Sequence, residues 1–505
     1  MPNTLFDALF APHTDRDSPF LRLAGGAAVS YAGFLETAAG FAHVLDDAGL
    51  VPGDRVAVQV EKSPGALALY AACVQAGLVF LPLNPGYTAE ELGYFIDDSG
   101  AGLLVCDPGR ARALAPLAET RSAALLTLGA AGDGTLAEAA AGQSGTFAPV
   151  ARGPDDLAAL LYTSGTTGRS KGAMLTHDNL LSNAVALAEA WRFTADDVLL
   201  HALPIFHTHG LFVASNVSLA TGCSMIFLPG FDLDAVIGHM PEATAMMGVP
   251  TFYTRLLGDR RLTRELTAHM RLFVSGSAPL LPDTHEKFAA RTGHRILERY
   301  GMTETGMNTS NPHDGERRAG TVGPPLPGVE VRVTEPATGR TLAPGDIGQV
   351  EVRGPNVFKG YWKMPEKTAT EFREDGFFIT GDLGAFDADG YLRIVGRDKD
   401  LIISGGYNIY PKEIELVLDA QPGVLESAVI GVPHEDFGET PVALVVAERD
   451  SPPDREAITA ELRTALARYK HPRALLFIDE LPRNAMGKVQ KNVLRDSYRN
   501  LFSGS

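Results

Sequence analysis

Apolar positions alternate between two spacings along the first half of the chain. In "FLETAAGFAHVLDDAGL" they recur at helical intervals, and "DRVAVQV" then reads as a strand behind a Pro-Gly-Asp turn. "GALALYAACVQAGLVFLPLN" repeats the theme, helix into buried strand, and "GAGLLVCD", "DLAALLYT" and "DVLLHALPIF" are further strand candidates. In "HDNLLSNAVALAEAW" one helical stripe takes Leu180, Leu181, Ala184, Leu187, Ala188 and Trp191, with Asp178 expected as the N-cap.

Alternation of this kind predicts an α/β chain with parallel, doubly wound sheets covered by helices on both faces. The character changes near residue 320, where "GTVGPPLPGVEVRVTE", "GQVEVRG" and "GYLRIVGR" are short alternating strands between Gly/Pro turns, the mark of a small β-rich subdomain. Beyond "GRDKDLIISGG" follows a compact α+β pattern of about a hundred residues, within the usual domain range. The expected division is a large N-terminal domain, 1–397, and a small C-terminal domain, 398–505. The stretch "GAAGDGTLAEAAAGQSG" predicts an exposed loop with a short helix.

With 505 residues the chain exceeds one compact core, and its 45% hydrophobic and 21% charged shares suit a soluble globular protein of enzyme size. A net charge of −17 argues against nucleic acid or an anionic membrane as partner, since both require a basic face. The three cysteines, Cys73, Cys106 and Cys223, lie far apart in apolar surroundings, which predicts buried thiols and a reducing compartment. No cationic leader opens the sequence and no apolar run reaches spanning length, so the expected location is the cytoplasm.

"YTSGTTGRSKG" (162–172) packs hydroxyls, glycines and two cations directly after an apolar strand. Such a stretch suits an ordinary turn or a phosphate cradle. It is not a Walker A loop, because Lys171 is followed by Gly172 rather than Ser or Thr. Five further motifs follow in order: "SGSAPL", "ERYGMTET", "FITGDLG", "GRDKDLIISGGYNIYPKEIE" and "LPRNAMGKVQK". Together these resemble the adenylate-forming superfamily of acyl-CoA synthetases, aryl-CoA ligases, luciferases and peptide-synthetase adenylation domains, over essentially the whole chain.

The resemblance implies a two-step reaction. A carboxylate attacks the α-phosphate of ATP, giving acyl-adenylate and pyrophosphate, and the thiol of CoA then displaces AMP. It further implies that Thr163, Ser164, Gly165, Thr166, Thr167, Gly168 and Lys171 hold the terminal phosphates, that Thr303 meets the α-phosphate and that Glu304 binds Mg²⁺, which favours oxygen ligands. Asp382 and Arg397 would hold the ribose. Ser277, Ala278 and Pro279, with Glu298, Arg299 and Tyr300, would frame the adenine. Lys488 is the implied adenylation lysine and a natural target for a lysine acetyltransferase. Gly405, Gly406 and Tyr407 would line the CoA path, and Lys399 matches the family's hinge, about which the small domain turns.

Within the superfamily the segment "MMGVPTFYTRLL", together with "PIFHTHGLF" and "YGMTETGMN", is most similar to the malonyl-CoA synthetases, which take malonate and often methylmalonate. Arg255 would then read the distal carboxylate, with His207, Ser277 and Met307 completing a short polar pocket; the bland alternative puts Arg255 on the exposed face of a helix beginning near Pro250. A CoA ligase for another short-chain or aryl acid, or a non-catalytic nucleotide-binding relative, are the competing readings. Retention of Lys171, Glu304, Asp382, Arg397 and Lys488 together opposes the second.

Overall fold

The computed structural model describes residues 2–163, 170–404, 407–434, 437–449, 451–484 and 487–502. Two large sheets dominate them. One has six strands in the order Ala124–Thr127, Leu103–Cys106, Arg55–Gln59, Val79–Pro82, Leu157–Thr163 and Lys171–Thr176. The other has eight, with Leu297–Met302, Leu272–Ser275, Ala245–Gly248, Val198–His201 and Ser224–Phe227 as its consecutive parallel core. Strands such as Leu103–Cys106, Val198–His201 and Leu272–Ser275 are buried at every position, as expected where helices cover both faces. The sheets are mixed rather than wholly parallel: Lys171–Thr176, Gly306–Ser310 and Ala28–Ser30 close their edges antiparallel.

Local chemistry starts the helices. Ser63 caps Pro64–Gln75 with Pro64 in the first turn, and Thr88 and Glu91 form a reciprocal capping box on Ala89–Ser99. Helix His177–Ala190 is capped by Thr176, whose side chain exchanges bonds with Asn179, and Asp178 instead lies in the first turn. On this stripe Leu180, Ala184, Leu187 and Trp191 are buried, Trp191 at 0% exposure, while Leu181 and Ala188 pack partly buried against the core.

A four-stranded antiparallel sheet, Glu330–Thr334, Gly348–Arg353, Phe378–Phe386 and Leu392–Arg397, forms the β-rich part. After the short 3₁₀ turn Asp398–Asp400 comes a five-stranded sheet with its own apolar clusters, one around Ile414 and Leu418, the other around Leu481 and Leu494. All three cysteines are buried free thiols, and burial pushes each thiol up from its ordinary value. No helix among the described residues is long and apolar enough to cross a membrane.

The topology positions the site. Thr163, His207, Arg255, Ser277 and Glu304 all lie at or just beyond the carboxyl ends of parallel strands. That is where open α/β sheets place ligands.

Candidate functional site

Strand Leu157–Thr163 delivers Thr163 to the first corner of the site, where its hydroxyl donates to Glu304 Oε1 at 3.4 Å. Ser164, Gly165, Thr166, Thr167 and Gly168 lie outside the described residues. Lys171 opens the return strand and is buried, its Nζ 3.5 Å from Glu371 Oε1 and 4.0 Å from the centroid of the Tyr361 ring. Glu304 is buried and accepts from the Tyr361 hydroxyl at 3.0 Å. Burial raises its carboxyl above the ordinary range, opposed by Arg397 and Lys171. Thr303 is half-buried beside it and lines a small internal cavity with Asn183 and Thr208. No group of three or more His, Cys, Asp or Glu side chains able to hold a metal ion is assembled among the described residues. A magnesium ion held through one carboxylate, substrate phosphates and water does not require one, so Glu304 with the Thr163 hydroxyl fits that mode.

The second corner is built by the antiparallel pair Phe378–Phe386 and Leu392–Arg397. Asp382 and Arg397 are cross-strand partners, and Arg397 Nε lies 2.7 Å from Asp382 Oδ1. The Tyr300 hydroxyl donates to Asp382 Oδ2 at 2.5 Å. Burial, then the Asp382 charge, pushes that phenol up. Glu298 is buried and accepts from Leu280 N at 3.2 Å, while its Oε2 has no partner; burial raises the carboxyl to about 8. Ser277, Ala278 and Pro279 form the turn into helix Pro282–Thr292, and Ser277 has φ +71°. A non-glycine residue held there costs about 1 to 3 kcal/mol and marks a site that surrounding structure over-determines.

Arg299 parts company with its neighbours. Side chains alternate along a strand, so Glu298 and Tyr300 share one face of it, Tyr300 toward Asp382, and Arg299 takes the other. There it is 3% exposed, packed so tightly under Gly276 that a Cβ on that glycine would stand 2.3 Å from Cζ. Among the described residues its Nε and Nη2 have no hydrogen-bond partner. Burial lowers its affinity for the proton, and its charge acts on Tyr253 and His209. The resemblance places Arg299 at the adenine; its guanidinium stands beside Gly276, with Tyr253 and His209 within reach of its charge.

Among the predicted pocket residues, Ser277 directly follows Gly276 in the chain. Helix Pro250–Leu257 carries Arg255, but exposed rather than buried, its guanidinium 5.8 Å from the Phe231 ring; among the described residues no carboxylate pairs with it. Phe231 stacks on Phe252 at 4.1 Å. His207 is half-buried with Nε2 unpartnered, and burial pushes the imidazole down to about 4. His209, unforeseen in the sequence, meets Ser277 Oγ through Nδ1 at 3.2 Å and starts a π-helix, His209–Ser215. Met307 is buried, its backbone clamped by Asn183 through bonds of 2.9 and 3.0 Å.

The C-terminal sheet contributes one loop to the cleft. Asn484 accepts from Lys488 N at 3.0 Å and its carbonyl from Gly487 N at 2.8 Å, turning the chain through Gly487 at φ +72°. A Cβ on Gly487 would lie 3.6 Å from Thr251 Oγ1, on the helix that carries Arg255. Lys488 keeps access to solvent yet stands among close neighbours. Their crowding lowers its ammonium below the ordinary value, Arg397 and Lys399 add to the effect, and Asp382 and Asp400 oppose it. Lys399 occupies the 3₁₀ turn, beside an Asp400–Arg495 ion pair of 2.7 Å. Tyr407 lies on the edge strand, 58% exposed, with its ring 4.8 Å from that of Tyr469 in the same small sheet domain. Gly405 and Gly406 lie outside the described residues.

Residues 11–362 match the model of AMP-binding enzymes, and residues 413–488 match that of the AMP-binding enzyme C-terminal domain. The chain belongs to the AMP-binding enzyme family. Among solved structures, ATP-bound MatB from Rhodopseudomonas palustris is 59% identical, with a TM-score of 0.97 and complete coverage of both chains; the apo form of that protein gives 0.87. The curated relatives include a feruloyl-CoA synthase of an Amycolatopsis species, 40% identical over 94% of this chain and 95% of its own. A malonate–CoA ligase of Arabidopsis thaliana is 36% identical over 90% of this chain and 79% of its own.

Proposed function

We propose that the chain ligates malonate, and also methylmalonate, to CoA through an acyl-adenylate, with AMP and pyrophosphate as the other products. One observation carries the choice of acid: Arg299 is a buried guanidinium whose Nε and Nη2 have no partner among the described residues, packed against Gly276 next to the predicted pocket residue Ser277. Leaving such a charge unpaired is costly, and a second carboxylate on the substrate satisfies it with a two-bond fork. An aryl or alkyl acid offers no such partner. Similarity to malonate–CoA ligases supports the same reading.

In this account the loop from Thr163 to Lys171 cradles the polyphosphate, and Asp382, oriented by Arg397 and Tyr300, takes the ribose. Magnesium bound at Glu304 would offset phosphate charge. Lys488 brings its ammonium to the approaching carboxylate and the α-phosphate, where two anions must meet. Arg299 and Arg255 hold the far carboxylate, keeping the near one aimed at phosphorus. The small domain, from residue 398, then turns about Lys399 and presents the face containing Tyr407 to CoA. The closer fit to the ATP-bound than to the apo relative supports reading the present arrangement as the adenylating one. The exposed Lys488 is open to acetylation, and the three free thiols support a reducing, cytoplasmic setting.

Incubation with ATP, Mg²⁺, malonate and CoA tests the assignment: malonyl-CoA, AMP and pyrophosphate should form in equal amounts. ADP and inorganic phosphate as products would refute it.

A further inference from the structure

Tyr361 has no part in the reading above, yet it joins two of the residues that the reading needs. Its segment runs beside strand Lys171–Thr176: Lys359 N donates to Met174 O at 3.0 Å, Met174 N to Gly360 O at 3.0 Å, and Trp362 N to Gly172 O at 2.8 Å. One residue earlier, Phe358 N donates to Glu304 O at 2.8 Å. A single short stretch is thus stitched both to the strand of Lys171 and to the backbone of Glu304.

The side chain repeats the connection. Tyr361 is 3% exposed; its hydroxyl donates to Glu304 Oε1 at 3.0 Å, and its ring supports the Lys171 ammonium at 4.0 Å. The Glu371 carboxylate interacts with the same hydroxyl, and pairs with Lys171 at 3.5 Å and Lys367 at 2.7 Å.

We propose that Tyr361 is a positioning residue, holding the Glu304 carboxylate and the Lys171 ammonium at a fixed separation so that both engage one magnesium-nucleotide polyphosphate. This rests on the roles given to Glu304 and Lys171 under the proposed function. A phenol fixed on one carboxylate oxygen sets the plane of the group and leaves the other oxygen free of that bond. Outer partners of this kind change metal affinity by about 10- to 100-fold. Contact with the ring face leaves the lysine with N–H donors still to offer, and the long bond to Glu371 is one that a phosphate oxygen can replace.

The test is ATP binding to the full chain by isothermal titration calorimetry, without acid or CoA, across a Mg²⁺ series and in EDTA. Tyr361→Phe keeps the ring and loses the hydroxyl. It should raise the Mg²⁺ concentration needed for half-maximal enhancement of ATP affinity by about tenfold or more, while metal-free ATP affinity stays within about twofold of wild type. Tyr361→Leu removes the ring as well and should weaken metal-free binding about threefold or more. An unchanged Mg²⁺ requirement in Tyr361→Phe overturns the proposal, including when its melting temperature falls, because Tyr361 is then packing alone. Equal loss of metal-free binding in both variants overturns it too. Failure of the wild-type chain to bind ATP would instead refute the underlying reading.

Discussion

Replacing Arg299 with methionine separates substrate recognition from folding more sharply than any other change in the acyl pocket. The wild-type guanidinium is 3% exposed, and among the described residues its Nε and Nη2 are unpaired and no carboxylate forms an ion pair with it. Exchanging buried charged groups for well-packed apolar ones is often neutral or stabilising, by about 1 to 4 kcal/mol. Arg299→Met should therefore leave the melting temperature unchanged or raise it. Malonate, in contrast, would lose the partner of its distal carboxylate. Breaking one side of a buried charge pair costs about 3 to 5 kcal/mol, or between about two and nearly four orders of magnitude in kcat/KM at 1.36 kcal/mol per decade.

Arg255 is exposed, so its loss should cost much less, about tenfold, as screening reduces the worth of an open pair. The assay is CoA-dependent AMP formation with malonate and, in parallel, butyrate. Malonate should collapse in Arg299→Met while butyrate is unaffected or improves. Equal losses on both acids, or a variant that melts well below wild type, would show that the guanidinium supports the fold and not the substrate.

Lys488→Ala should slow acyl-adenylate formation about 10²- to 10³-fold, the usual cost of one transition-state donor, yet spare thioester formation from supplied malonyl-adenylate; parallel loss of both steps would contradict a role confined to adenylation. Lys399→Pro fixes φ near −65° at the turn, and should leave malonate-dependent pyrophosphate exchange intact while thioester yield falls; exchange and yield falling together would sink the rotation. Glu298 gives a pH signature. Its native carboxyl titrates at about 8, above its unfolded value, so the native state binds the extra proton and stability declines as pH rises between the two, by no more than about 5 kcal/mol. Glu298→Gln should flatten that decline in denaturant midpoints measured from pH 5 to 9, and an identical slope in both proteins would count against it.

Much of the architecture was readable because strands such as Leu103–Cys106 and the stripe ending at Trp191 have strong local periodicity. The cap of helix His177–Ala190 was misplaced by two residues: Thr176 and Asp178 are both good caps, and only the reciprocal bond with Asn179 decides between them. Motif order also found Asp382 with Arg397, whose cross-strand register the sequence could not show. Glu298, Arg299 and Tyr300 lie on one strand, whose two-residue period is the sequence signal that sets Arg299 apart from the other two. His209 and Tyr361 were harder. The first depends on a π-helix with no sequence pattern of its own, and the second on a pairing between chain segments nearly two hundred residues apart, Lys171 and Tyr361.

Competition for limiting CoA tests whether the acyl pocket selects a dicarboxylate. With ATP, Mg²⁺ and equal concentrations of malonate, methylmalonate, butyrate and ferulate, mass spectrometry of the thioesters reports which acid the pocket selects. Malonyl-CoA and methylmalonyl-CoA should account for nearly all of the product. Feruloyl-CoA or butyryl-CoA in excess would contradict a pocket built around a second carboxylate.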